Sequence, residues 1–257
     1  MITPEQVSCY QMFGFLLLKR LYSSDEMAAI SHEFDDLTSR DRQGQPFPGL
    51  KRQSLYGIAE LSPLLTRLTV DDDRIYQTVE QLMGPGFVWL NSEGNLYVGD
   101  TGWHSDDSRL SYPPMKVSLY LDPLTKDTGC MRLIPGSHRP PFHHDLQAMA
   151  RLGVPGADVP AYPCESQPGD VLFMNMNTWH AAFGGAPGRR HLAVNFAPAP
   201  QTSEHIDLLE QNYNGLLSLI QRLQYSQPDR VATDAFLHSD RPHLQSITAK
   251  WIELGFK

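Results

Sequence analysis

With 257 residues, 41% of them hydrophobic and 19% charged, the chain is long enough to bury a substantial core and has the make-up of a soluble globular protein. A formal net charge of −8 argues against general nucleic-acid binding, which depends on neutralising phosphates, and no apolar run reaches the roughly 18 residues of a transmembrane helix. Cys9, Cys130 and Cys164 are too far apart for a disulfide framework or a zinc cluster, and the opening Met1-Ile2-Thr3-Pro4-Glu5 lacks the layout of a signal peptide, so reduced thiols and a cytoplasmic location are expected.

Thr3-Pro4-Glu5-Gln6 opens a helix, with Thr3 as N-cap and Pro4 in the first turn. Residues 14–18 form an apolar run of strand length. Ser23-Ser24-Asp25-Glu26 starts an amphipathic helix that carries Met27, Ile30, Phe34 and Leu37 at helical spacing. Residues 40–60 read as a long loop, of a kind that often carries function in compact domains. Helical stretches at 62–69 and 72–83 follow, and Gly84-Pro85-Gly86 ends this helical front.

From 86 to 200 the texture changes. Strand-length apolar runs at 87–90, 117–121, 131–134, 171–174 and 192–196 alternate with turn clusters such as Lys126-Asp127-Thr128-Gly129 and Gln167-Pro168-Gly169-Asp170. Short strands punctuated by turns indicate a mainly β fold with flanking helices, of the jelly-roll, cupin-like class. From about 203 the pattern returns to helix, where Ile206, Leu209, Leu216, Leu217, Ile220 and Leu223 make an apolar stripe. That stripe is open to its own barrel or to a second copy of the chain in a homo-oligomer. The whole chain, 1–257, reads as one domain: a helical N-terminal part (1–84), a jelly-roll core (86–200) and a helical tail (203–257).

The chemistry-bearing residues lie in the β region. In His104-Ser105-Asp106, positions two apart on an extended strand point the same way, so both side chains can reach one ion. A lone His180, far along the chain on another strand, supplies a third ligand. Two histidines and one carboxylate on one face of an iron ion leave the opposite face open for a cosubstrate and oxygen.

Four features stand in a fixed order: Gly102-Trp103-His104-Ser105-Asp106; the run from Asp127 to Pro135-Gly136-Ser137-His138; Pro168-Gly169-Asp170 leading through Asn177-Thr178-Trp179 to His180; and Gly188-Arg189-Arg190-His191 feeding the strand at 192–196. This ordered set resembles the phytanoyl-CoA dioxygenase family of iron(II)- and 2-oxoglutarate-dependent oxygenases, over roughly residues 3–200. The resemblance implies a double-stranded β-helix holding Fe(II) through His104, Asp106 and His180, with 2-oxoglutarate and O2 as cosubstrates. It implies oxidation of a C–H bond in a small molecule, with release of succinate and CO2. Related halogenases lack the carboxylate that Asp106 supplies here, so hydroxylation or another oxygenase outcome, such as desaturation or ring closure, is implied.

Where the resemblance implies an arginine for the far carboxylate of 2-oxoglutarate, this chain has His191, with Arg190 and Arg189 one and two positions short. Strand alternation puts Arg190 with Leu192, Val194 and Phe196, and Arg189 with His191, Ala193 and Asn195. If the bulkier apolar face points into the barrel, Arg190 is the clamp; Arg189 is the alternative. A guanidinium pairs bidentately with a carboxylate and stays charged when buried.

Asn95, Ser118 and Tyr120, on strands flanking the first ligands, are candidates to face the cavity and touch the cosubstrate. Candidates for substrate contact are Arg132, a charge inside an apolar strand that needs a partner or a water-filled cavity, Arg52 in the 40–60 loop beside Lys51, Trp103, and more weakly Arg109 and Lys116. Trp103 and Trp179 each precede a ligand histidine and also fit packing beneath the site. His138 reads as structural, His143 and His144 as solvated, Asp170 as a turn former and Asp107 as pointing away from the ion. A competing reading keeps the fold and the metal but makes the protein a cupin-like isomerase, lyase or small-molecule sensor. A carboxylate clamp after His180 separates the two, because only the oxygenase needs it.

Overall fold

The computed structural model of the chain describes residues 1–107, 109–151, 154–224 and 229–257. Helix α1 (Pro4–Phe13) starts on a reciprocal cap: Thr3 Oγ1 accepts from Gln6 N–H and the Gln6 side chain accepts from Thr3 N–H. Gly14, at φ 85°, ends it and turns the chain into strand β1 (Phe15–Leu18). Ser23 and Glu26 repeat the reciprocal cap at helix α2 (Ser24–Asp41), whose Met27, Ile30, Phe34 and Leu37 are buried at the spacing expected. Strand β2 (Gln53–Tyr56), a short helix α3 (Pro63–Leu65) running into a π turn at Thr66–Val70, and helix α4 (Asp73–Met83) complete the front.

The remaining strands are β3 (Val88–Tyr97), β4 (Thr101–His104), β5 (Met115–Tyr120), β6 (Met131–Leu133), β7 (Tyr162–Cys164), β8 (Val171–Asn175), β9 (His180–Ala182) and β10 (Arg189–Ala197). A four-residue helix α5 (Phe142–Asp145) interrupts them, and helices α6 (Ser203–Leu223), α7 (Asp234–Leu237) and α8 (Pro242–Leu254) follow. The strands make a six-stranded sheet, β1-β8-β5-β10-β3-β2, and a four-stranded sheet, β4-β9-β6-β7, antiparallel throughout. This is the jelly-roll pairing of two sheets.

The six-stranded sheet has two unlike faces. One carries Val117, Leu119, Leu192, Val194 and Phe196 into a large core shared with α2, α4, α6 and α8. The other faces the four-stranded sheet and is largely polar: Glu93 and Asn95 on β3, Lys116 and Ser118 on β5, Arg189, His191 and Asn195 on β10. Apolar filling between the sheets is confined to a smaller cluster around Met131, Leu133, Leu172 and Met174. The stripe on α6 packs on its own sheet, burying Leu209, Leu216 and Ile220, whereas Leu223 is exposed. The expected 40–60 loop is broken by β2, an edge strand on β3 in which Leu55 alone is buried, too little apolar signal to read as a strand. No helix among the described residues is long and apolar enough to cross a membrane.

Glu60, deep in the large core, illustrates the cost of burying an acid. Trp89 Nε1 donates to one carboxyl oxygen at 3.0 Å and Ser92 Oγ donates to the other. Burial nevertheless outweighs these bonds and pushes its pKa up to about 7. A raised folded-state pKa means the native protein holds a proton that the unfolded chain has lost. Stability therefore falls as pH rises from about 4.5 towards 7. Glu60→Gln should remove this dependence, gaining on the wild type between pH 5 and pH 8 by on the order of 3 kcal/mol in urea unfolding. A wild-type-minus-variant difference that is flat with pH would contradict the assignment.

Candidate metal centre

His104 ends β4 and His180 opens β9, and the pairing sets them opposite each other with ring centroids 4.2 Å apart. Asp106 lies just beyond β4. There Met176 C=O accepts from the N–H groups of Asp106 and Asp107 at 3.0 and 3.1 Å, fixing the chain as it leaves the strand. The carboxylate turns back so that Asp106 Oδ1 is 3.5 Å from His104 Nε2 and 3.8 Å from His180 Nε2. All three ligand-type atoms lie within 4.8 Å of one another, and no other such group occurs among the described residues. Donors at right angles on one ion, with bonds of about 2.1 Å, sit roughly 3 Å apart, so small side-chain shifts close this set onto a metal.

The ring tautomers are fixed from behind. His104 Nδ1 lies 2.8 Å from Gly102 C=O and His180 Nδ1 2.9 Å from Thr178 C=O. A carbonyl only accepts, so each Nδ1 must carry the proton, and each Nε2 lone pair is left facing the centre. Burial pushes His180 down to about 4, which keeps it neutral, as a ligand must be. The donor set, two imidazoles and a carboxylate on one side of an open cavity, fits a divalent iron ion.

Lys116 controls the charge. Its Nζ lies 2.7 Å from Asp106 Oδ2 and 2.8 Å from Glu93 Oε1, and its side chain is 10% exposed. Burial alone would raise the Glu93 carboxyl, but Lys116, with His191 and Arg52, overcomes it and holds Glu93 at about 2. Asp106 is likewise kept ionised, well below the usual carboxylate range, by Lys116 against its own burial. Two buried anions and one buried cation are tolerable only together.

A cavity of about 480 Å³ opens onto the triad, lined also by Arg52, Tyr97, Tyr120 and Arg189. Arg189 is 7% exposed and held by backbone carbonyls, Gly99 at 2.6 Å from Nη2 and Gly129 at 3.3 Å from Nη1. Its Nε is buried with no partner, and it makes no ion pair among the described residues. Gly129 and Gly185 leave it room: a Cβ there would stand 1.8 and 1.6 Å from Arg189 Nη1.

The expected clamp, Arg190, is on the other side of the sheet. It pairs with Asp122 at 2.7 Å and with Asp35 at 2.8 Å, away from the cavity. The reason is that the apolar face of β10 packs on the helices, while the barrel interior is the polar face. Arg132 also points outward, donating to Ala157 and Lys126 carbonyls beside the Phe183 ring, while its neighbour Met131 faces the cavity. Trp103 packs with Ile134 and Trp179 and donates from Nε1 to Gly156 C=O at 2.8 Å, so it is outside the cavity too.

Tyr120 and Arg52 line the cavity as expected. Asn95 and Ser118 stand one layer behind. His191 covers them, with Nε2 3.0 Å from Ser118 Oγ, and Asn95 Oδ1 accepts from Arg52 Nη2 at 2.7 Å. Asp107 turns away and pairs with Arg109. His143 is buried rather than solvated, its Nδ1 shared between Ser137 and Asn177 carbonyls. Glu93 and Arg189 are the residues that sequence reasoning undervalued. A glutamate inside a strand of otherwise neutral residues was the available signal for Glu93.

Replacing Lys116 by Met leaves two buried carboxylates without their cation. Lys116→Met should lower stability by about 3–5 kcal/mol in urea unfolding of the metal-free protein. A loss near that of an exposed pair, under about 1 kcal/mol, would show that the three charges are not coupled.

The profile of the phytanoyl-CoA dioxygenase (PhyH) family matches residues 10–191. Among curated proteins, an ectoine dioxygenase of Bordetella bronchiseptica is 25% identical over 279 aligned residues, covering 94% of this chain and 85% of that protein. An ectoine dioxygenase of Sphingopyxis alaskensis is 23% identical, covering 71% of each chain. Among solved structures, HygX from Streptomyces hygroscopicus with nickel and 2-oxoglutarate bound superposes with a TM-score of 0.61 at 22% identity, over 79% of this chain and 89% of that one. EctD from S. alaskensis with bound Fe gives 0.58 at 21% identity, over 77% of each. With the profile spanning most of its length, including both triad strands, the chain belongs to the phytanoyl-CoA dioxygenase family.

Proposed function

We propose that this protein is an iron(II)- and 2-oxoglutarate-dependent dioxygenase that hydroxylates a C–H bond of a small molecule. His104, Asp106 and His180 hold the iron, and Arg189, not Arg190, takes the far carboxylate of 2-oxoglutarate. The observation that carries this reading is a buried guanidinium with no carboxylate of its own, inside the cavity that opens onto the triad. A metal site without oxygenase chemistry has no use for such an unpaired cation, which counts against an isomerase, lyase or sensor.

Bound iron, with 2-oxoglutarate and O2, supplies the oxidising power, and succinate and CO2 leave as coproducts. The rest falls to the chain. Arg189 would hold the far carboxylate of the cosubstrate through its guanidinium, whose Nε–H is without a partner in the chain. The two carbonyl-bound Nδ1 protons keep both imidazoles in the ligating tautomer. Lys116 occupies Asp106 Oδ2 and leaves Oδ1 towards the histidines. A cavity of about 480 Å³ suits a small molecule. Ectoine, named in the relatives, serves as a comparison compound in the assay.

Succinate formation from 2-oxoglutarate with Fe(II) tests the assignment. His104→Ala and Asp106→Ala should reduce it to background, and Arg189→Ala should raise the 2-oxoglutarate KM at least about tenfold. Arg190→Ala, which removes the ion pairs to Asp122 and Asp35 outside the cavity, should leave that KM close to wild type. Full turnover in His104→Ala, or a KM rise confined to Arg190→Ala, would overturn it.

A further inference from the structure

Strand β10 spans the cavity, with Arg189 at one end and Asn195 at the other. The same lining includes Asn91, the cross-strand partner of Asn195, and Gln211, Asn212, Leu216 and Leu219. Four of these come from α6, which lies beyond the residues matched by the family profile. Lys116, the cross-strand neighbour of Asn195, is neutralised by Asp106 and Glu93, and Arg52 pairs with Glu93, so these cavity charges are already matched within the chain.

Two observations mark it as a built site. Asn195 is 3% exposed, its Nδ2 donates to Asn91 Oδ1 at 2.5 Å, and its own Oδ1 is buried with no partner. The pair thus leaves one acceptor (Asn195 Oδ1) and one donor (Asn91 Nδ2) unused among the described residues. The second is Gly215, in the middle of a 21-residue helix. Glycine is a poor helix former. Here it has no positive φ, and a Cβ would meet nothing within 4 Å, so neither backbone conformation nor close packing requires it. It lies exposed where α6 borders the cavity, one turn beyond Gln211 and Asn212, and its missing side chain leaves that border open.

We propose that α6 and the Asn91–Asn195 pair form the substrate end of the cavity, shaped by Gly215 for a small uncharged molecule with an amide-like donor–acceptor edge. A lactam, or a ring with the same N–H and C=O side by side, complements the free acceptor and donor, while its saturated carbons meet Leu216 and Leu219. The proposal rests on the oxygenase reading for what happens to the molecule, not for its binding.

Saturation-transfer NMR on the full, metal-free chain provides the test, with δ-valerolactam and its N-methyl derivative as probes. The N–H lactam should bind, and the N-methyl lactam about tenfold more weakly, because it leaves the buried acceptor unpaired. Gly215→Phe should abolish lactam binding while melting at or above the wild-type temperature, since any side chain there improves the helix. Asn195→Leu should lose binding as well, and if it fails to fold Gly215→Phe decides alone. Equal binding of the two lactams, binding of neither, or retained binding in Gly215→Phe would overturn the proposal. Absence of succinate formation by the wild-type protein would remove the oxygenase reading without touching the lactam result.

Discussion

The interior of this barrel is charged, and one buried ammonium makes that tolerable. Lys116 Nζ stands between Asp106 and Glu93, on the polar face of the six-stranded sheet, with its side chain 10% exposed. Taken singly, each of these charges would be expelled or neutralised by burial. Together they keep Asp106 ionised and aimed at the histidines, and they leave Arg189 as a cavity cation with no ion pair among the described residues.

That arrangement depends on a division of labour between the faces of the sheet. Valine, leucine and phenylalanine on β5 and β10 pack on the helices, which supply most of the apolar burial. The opposite face is released from that duty and carries the ionisable and amide side chains that line the cavity. The four-stranded sheet closes the other side with short strands, and it is these that hold the two histidines. Backbone carbonyls at Gly102, Thr178 and Met176 then fix the ring tautomers and the turn at Asp106, so the ligand set is positioned by main chain on three sides.

Much of this was legible in the sequence. The helix caps at Thr3 and Ser23, the spacing of Met27, Ile30, Phe34 and Leu37, and five of the long apolar runs each correspond to an element, because local hydrogen bonding and periodic burial set them. The grouping of His104, Asp106 and His180 followed from strand alternation and motif order. What was hidden was short or polar: β2, β4, β7 and β9 have three or four residues each and little apolar patterning. Arg189, not the expected Arg190, faces the cavity for a definite reason. The bulkier face of β10 was assumed to point into the barrel, whereas a jelly roll with helices outside and a cavity inside reverses that rule. The contribution of α6 to the cavity wall had no sequence signal at all, since Gln211, Asn212 and Gly215 look like the solvent side of an amphipathic helix.

The most direct test of the account is anaerobic titration of Fe(II) and 2-oxoglutarate into the purified protein, following the weak visible charge-transfer band of the chelate. The band should appear in the wild type, vanish in Asp106→Ala, and require far more 2-oxoglutarate in Arg189→Ala. Bound iron with no band on adding 2-oxoglutarate would mean that the cavity arginine serves another anion, and the oxygenase account would fall.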